Sequence, residues 1–249
     1  MQKLTKDVIQ WIKDYFKDND DGKIIVGVSG GKDSTIVAAL CVEALGADRV
    51  IGVLMPRGEQ KDINDSYKVC QFLGIHHVTI DIDSVCTILT SRTMDAVGWP
   101  QRRTPDEIRT NLPARIRMTT LYTVAAMYRN SRVVNTSNWS ERYIGYSTKY
   151  GDGAGDFSPL GMLTVREVLA IGDDLGLPYD LVHKTPADGM SGKSDEEKIG
   201  FTYEELDNYL LIENKTPSRE VLDKIVKMHE VNKHKLLPMP MFNPEEETV

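Results

Sequence analysis

Short apolar runs alternate along this chain with longer stretches in which apolar residues return every three or four positions. Lys23 to Val28, built around Ile24-Ile25-Val26, has strand length, as do Val50 to Leu54, His77 to Ile80 and Arg132 to Thr136. The stretches between them have helical spacing: Leu4 to Phe16, Ser34 to Ala44, Asp62 to Leu73, Asp81 to Val97, and Leu112 to Tyr128 with Pro113 placed in its first turn. The breaks are chemical. Asp18-Asn19-Asp20-Asp21-Gly22 stops the first helix, Gly46 and Gly74 end the next two, and Gly98-Trp99-Pro100 ends the fourth. Further helices are expected at Tyr203 to Leu210 and Ser218 to Val231. Apolar strands alternating with helices predict an α/β fold, a parallel β-sheet with helices on both faces, whose ligands sit beyond the carboxyl ends of the strands.

One domain over residues 1–249 accounts for the length, and 41% hydrophobic residues suffice for a full core. Past Leu177 the chain turns polar, and residues 186–200 form a candidate lid or a plain surface loop. The tail, residues 236–249, holds Pro238-Met239-Pro240-Met241-Phe242 and is expected to pack on the body. The net charge of −7 argues against nucleic acid as a partner. Cys41, Cys70 and Cys86 form no pattern, which fits core positions in a reducing cytoplasm. No stretch is long and apolar enough for a membrane span, and no signal peptide opens the chain.

The candidate chemistry begins where strand one meets helix two, at Gly27-Val28-Ser29-Gly30-Gly31-Lys32-Asp33-Ser34. Paired glycines let a backbone approach a phosphate, Ser29 and Ser34 add hydroxyls, and the helix start presents free N–H groups. Asp33 supplies a carboxylate where a phosphate-bound Mg²⁺ would need one. The spacing does not fit G-x-x-x-x-G-K-[ST], because Val26 and Asp33 stand where that motif has glycine and Ser or Thr. It resembles the SGGxDS loop of the N-type ATP pyrophosphatases, which implies cleavage of ATP between its α and β phosphates and the Rossmann-like fold of the adenine nucleotide alpha hydrolases.

A second constellation follows strand four: Asn135-Thr136-Ser137-Asn138-Trp139-Ser140-Glu141, then Thr148-Lys149-Tyr150-Gly151-Asp152-Gly153-Ala154-Gly155-Asp156. Glu141 with Asp33 would give two carboxylates for one Mg²⁺, and Lys149 would neutralise a phosphate or a developing negative oxygen. These residues, together with Ala114-Arg115-Ile116-Arg117-Met118, Pro159-Leu160, Ser194-Asp195-Glu196, Gly200, Tyr203, Asp207 and His234-Lys235, run in the order seen in ammonia-dependent NAD synthetases, which the chain resembles over nearly its whole length. The T-K-Y-G-D-G stretch is the most specific part.

The resemblance implies a ligase that adenylates the nicotinate carboxylate of deamido-NAD with ATP, releases pyrophosphate, and then lets ammonia displace AMP to give NAD. It implies ATP on Gly27 to Ser34 and Thr136, Mg²⁺ on Asp33 and Glu141, and deamido-NAD on Arg115, Lys149, Asp156, His234 and Lys235. A homodimer is implied as well, because that family's deamido-NAD site lies at a dimer interface. The chain departs from the family pattern at Val165, where a lysine is common; at Pro186-Ala187-Asp188, which lacks a hydroxyl; and at Asn135, where glycine is usual. The length leaves no room for a fused glutamine amidase, so free ammonia or a separate amidase would supply the nitrogen. A tRNA-modifying ATP pyrophosphatase and a non-catalytic nucleotide-binding regulator remain as other readings of the loop alone.

Overall fold

The computed structural model describes residues 1–60, 62–100, 104–183, 194–212 and 217–243. Four strands, β1 Ile24–Gly27, β2 Val50–Leu54, β3 His76–Thr79 and β4 Arg132–Val133, form one parallel sheet in the order β3-β2-β1-β4. The chain thus builds outward from β1 to β3 and then crosses back to place β4 on the other side of β1. The carboxyl ends of β1 and β4 lie side by side, at the point where the strand order reverses.

Side-chain alternation divides the core in two. Ile24, Val26 and Val28 face a cluster closed by α1 Lys3–Tyr15, α2 Lys32–Leu45 and α7 Val165–Asp174. Ile25, Ile51, Val53 and Val133 face the opposite cluster, closed by α4 Asp83–Ala96 and α5 Asp106–Ala125. Because both faces are covered, the strands read as unbroken apolar runs in the sequence. Edge strand β3 is the exception, with both histidines exposed. The remaining helices are α3 Ile63–Leu73, α6 Trp139–Tyr143, α8 Tyr179–Val182, α9 Asp195–Ile199, α10 Tyr203–Leu210 and α11 Arg219–Leu236. A third cluster joins α6, α10 and α11 through Ile144, Leu206 and Ile225.

Several boundaries differ from those expected. Helix α5 begins six residues early, so Pro113 lies in its interior and not in its first turn. Pro105 now precedes the helix, with Asp106 and Glu107 in the first turn, where acidic residues suit the helix dipole. Proline removes one i→i−4 bond, and the Arg109 carbonyl it leaves free accepts the Arg57 guanidinium at 3.5 Å. Strand β4 stops at Val133, but Val134 still bridges Phe157 in parallel, and the Asn135 amide donates to the Phe157 carbonyl at 2.8 Å. Residues 156–157 thereby cover what would be an open sheet edge.

Helix α11 runs five residues beyond Val231 and ends at Leu236. In the described part of the tail that follows, residues 237–243, the apolar side chains are not buried against the body: Met241 and Phe242 are 82% and 91% exposed. Within the candidate lid, Ser194 to Gly200 is a capped helical turn, with Ser194 and Glu197 forming a reciprocal capping box. The rest of that segment, including Pro186-Ala187-Asp188, lies outside the described residues.

Candidate active site

Strand β1 delivers the glycine loop to the head of α2, and the loop is held by its own hydroxyls. Ser29 Oγ lies 3.0 Å from Ser34 Oγ and accepts the Gly31 amide at 3.2 Å. Ser34 Oγ donates to the Gly31 carbonyl at 3.1 Å and accepts the Ser29 amide at 3.2 Å. Gly27 and Val28 belong to the strand end, with Val28 packed in the core. Gly30 adopts φ +78°, and a Cβ there would stand 2.9 Å from the Ser66 amide nitrogen. Both facts require glycine. Among the described residues no side chain caps α2 at Gly31, so its first amides stay open to an anion.

Asp33 and Glu141, far apart in sequence, are joined by Asn138. The Asn138 side chain is fully buried; its Nδ2 donates to Asp33 Oδ1 at 3.2 Å, and its Oδ1 accepts the Glu141 amide at 2.9 Å. That second bond is the N-cap of α6, so the element carrying Glu141 is capped by the residue that orients Asp33. Lys32 Nζ lies 2.7 Å from Asp33 Oδ2. Burial and the neighbouring Asp33 carboxylate push Glu141 up to about 8, against the pull of Lys32. Thr136 sits half-buried just past β4.

Behind Glu141 stands Asp207, nearly buried on α10, which accepts Ser140 Oγ at 2.5 Å and the Arg166 amide at 2.8 Å. It ties α6 to the start of α7, where Val165 is a core residue and Arg166 donates to Asn208 Oδ1 at 2.6 Å. Val165, where the resemblance led to the expectation of a lysine, is therefore used for packing.

The expected deamido-NAD residues form a second group. Arg115 Nε donates to the Lys149 carbonyl at 3.2 Å, and Lys149 Nζ donates to the His234 carbonyl at 2.6 Å. Lys235 Nζ donates to the carbonyls of Gly145 and Ser147 at 2.8 and 3.0 Å. The last turn of α11 is thus tied to the loop that leads to Lys149. The His234 imidazole instead turns to its own helix, 3.2 Å from the Val231 carbonyl.

Asp156 accepts the Val133 amide at 2.7 Å and the Tyr122 hydroxyl at 3.0 Å, so it anchors the end of β4. Tyr150, next to Lys149, holds φ +64°, a strained conformation for a residue with a side chain. A groove of about 630 Å³ runs along α5 beside it, lined by Met118, Tyr122, Ala126, Tyr150 and Ala154.

Asn135, where the resemblance led to the expectation of glycine, has a working side chain. Its Nδ2 donates to the carbonyls of Asp152 and Ala154, and its Oδ1 accepts from the Ser137 amide and the Ser158 hydroxyl. Asn138, Asp207 and Tyr203 are functional neighbours to which sequence reasoning gave no role in the site. A legible signal existed for Asn138, since asparagine three residues before an acidic residue is an N-cap pattern.

A parallel α/β fold with a glycine loop open at the head of α2 and two carboxylates gathered beside it is the arrangement of a nucleotide-binding α/β enzyme. The chain belongs to the NAD synthase family, which it matches over residues 4–239. It is 36% identical over 241 residues to the NH(3)-dependent NAD(+) synthetase of Alkaliphilus metalliredigens, covering 95% of this chain and 96% of that one. Among solved structures it is similar to the NMN synthetase from Francisella tularensis, with a TM-score of 0.87 and 30% identity over 97% of this chain and 98% of that one. It is also similar to the NH3-dependent NAD synthetase from Campylobacter jejuni, with a TM-score of 0.78 and 29% identity, covering 97% of this chain and 99% of that one.

Proposed function

We propose that this ligase amidates deamido-NAD to NAD with ammonia, by way of an adenylated carboxylate, releasing AMP and pyrophosphate. The observation that carries the reading is the convergence of Asp33 and Glu141 on Asn138 beside the glycine loop, in a chain of the NAD synthase family. The residues present fit a magnesium ion. Two carboxylates offer hard oxygens, and the buried Tyr203 hydroxyl near them has no hydrogen-bond partner among the described residues. Magnesium keeps most of its shell for water and phosphate, so two protein carboxylates suffice. Bound with ATP, it would neutralise charge on the phosphates and on the departing pyrophosphate.

The chain's own groups do the rest. Gly27, Val28, Ser29, Gly30, Gly31, Lys32, Asp33 and Ser34 line the nucleotide phosphates through backbone amides and two hydroxyls, and Thr136 touches the nucleotide. Arg115, Lys149, Asp156, His234 and Lys235 receive the dinucleotide acid, with Lys149 placed to stabilise negative charge on oxygen as the carboxylate is activated. A carboxylate is a poor acyl donor, and AMP gives it a leaving group that ammonia displaces.

The same reading includes a homodimer, for which the side chains of Tyr150 and Met127, 63% and 74% exposed, offer apolar surface. Three buried free cysteines support cytoplasmic residence. Burial pushes Cys70 up to about 11, which leaves that thiol unreactive. No helix among the described residues is long and apolar enough to cross a membrane.

The likeness to a solved NMN synthetase at a TM-score of 0.87 favours one second reading, amidation of the mononucleotide acid. Competition between nicotinic acid mononucleotide and deamido-NAD, read as the ratio of kcat/KM values, decides between them. A ratio favouring the dinucleotide supports the proposal, and one favouring the mononucleotide replaces its substrate while leaving the chemistry in place.

A further inference from the structure

Lys32 occupies the one variable position of the S-G-G-x-D-S loop, and its side chain is 6% exposed. Its ammonium lies 2.7 Å from Asp33 Oδ2 and stands over the Tyr203 ring, 5.8 Å from the centroid. A buried ammonium is costly unless opposite charge surrounds it. Burial alone would lower its pKa, yet the carboxylates of Asp33, Glu141 and Asp195 together raise it. The positive charge therefore sits where the candidate metal carboxylates converge.

Both oxygens of Asp33 are engaged, Oδ1 by Asn138 and Oδ2 by Lys32. A carboxylate oxygen can keep an amide hydrogen bond while it binds a metal, but a metal ion at Oδ2 would stand against the Lys32 ammonium, and two cations repel at that distance. Asn138 is fully buried and fixed at its other end as the cap of α6. Lys32 is a point charge on a flexible four-carbon stem. The lysine is the partner that yields.

We propose that Lys32 is an internal counter-ion, which holds the cation position of the nucleotide-free site and releases Asp33 when Mg²⁺ arrives with the phosphates of ATP. The proposal rests on the reading of Asp33 and Glu141 as the metal carboxylates. Magnesium alone must then displace an intramolecular ion pair and binds weakly. Phosphates give the freed ammonium a new partner, so metal and nucleotide bind with positive coupling.

The test measures Mg²⁺ binding to the full-length protein without nucleotide, by calorimetry and by thermal shift, for wild type, Lys32→Met and Lys32→Arg. Methionine keeps an unbranched apolar stem, one atom shorter than lysine's, and removes the charge. The expected result is weak binding by wild type and Lys32→Arg, and binding tighter by about ten-fold or more in Lys32→Met, with a Mg²⁺-dependent rise in Tm. Equal or weaker binding by Lys32→Met overturns the proposal. If Lys32→Met folds poorly, recovery of its fold by Mg²⁺ supports the proposal, and failure to recover in both it and Lys32→Gln overturns it. Asp33→Asn separates the two layers through Mg²⁺·ATP affinity. Wild-type affinity in that variant removes the metal assignment itself, whereas weakened affinity with no gain in Lys32→Met removes only the counter-ion.

Discussion

Asn138 Nδ2 donates to Asp33 Oδ1 at 3.2 Å across 105 residues of sequence, while the same side chain caps the helix that carries Glu141. One amide therefore ties the Asp33 carboxylate to the backbone that carries Glu141. Asn138→Ala removes a cap, worth about 1 kcal/mol, and strips a donor from a half-buried carboxylate, worth about 1–3 kcal/mol. We expect a loss of about 2–4 kcal/mol in urea unfolding together with a raised Mg²⁺ requirement. Asn138→Ser should keep the cap and most of the stability but still need more Mg²⁺. An unchanged Mg²⁺ requirement in Asn138→Ser would show that the bond to Asp33 is incidental.

Lys149 and Asp33 are assigned to charge stabilisation, so each truncation should act on rate. Losing one preorganised charge partner costs about 3–4 kcal/mol of barrier, or roughly 10²–10³-fold in kcat. Lys149→Ala is expected to show that loss with a Tm near wild type, whereas Asp33→Ala, which leaves the buried Lys32 ammonium without its nearest counter-charge, should show it together with a lowered Tm. Turnover within a few-fold of wild type in either variant sinks its role.

Glu141 gives a pH signature in the metal-free protein. Its folded pKa, about 8, stands above the ordinary 4.5, so between these values the folded state holds a proton that the unfolded state has released. The corresponding stability is fully present below pH 4.5, declines as pH rises, and is gone above about 8. A fall of up to about 1 kcal/mol per pH unit is expected in that window. Glu141→Gln should abolish the slope, which unfolding curves between pH 5 and 8 would reveal.

How much of this was legible beforehand differs by residue. The strands could be read from Ile24-Ile25-Val26 and Val50 to Leu54, because a sheet covered on both faces leaves only apolar positions. Asp33, Lys149 and the paired glycines stood out because their chemistry is local. Pro113 misled the placement of α5, since proline is common in first turns; only the Arg57 contact to the freed carbonyl explains its interior position. The tail at Phe242 was expected to pack because it is apolar, but the length of α11 decides where it ends up. Asn138 and Asp207 act through partners 105 and 67 residues away, and such pairings do not exist until the chain folds.

Gly30 combines a left-handed φ of +78° with a 2.9 Å approach to the Ser66 amide. Gly30→Ala is expected to cost about 1–3 kcal/mol of stability and to weaken ATP binding, because the loop must shift away from α3. Calorimetry with ATP and a denaturant midpoint check both. Wild-type ATP affinity in a destabilised variant would place the phosphates elsewhere.

The most direct measurement of the central claim is product formation from deamido-NAD, ATP, Mg²⁺ and ammonium, with NAD, AMP and pyrophosphate quantified together and glutamine substituted for ammonium in parallel. The account predicts the three products in equal amounts, with ammonium as the nitrogen source. Well-folded protein that binds ATP yet releases no pyrophosphate in the presence of deamido-NAD would contradict it.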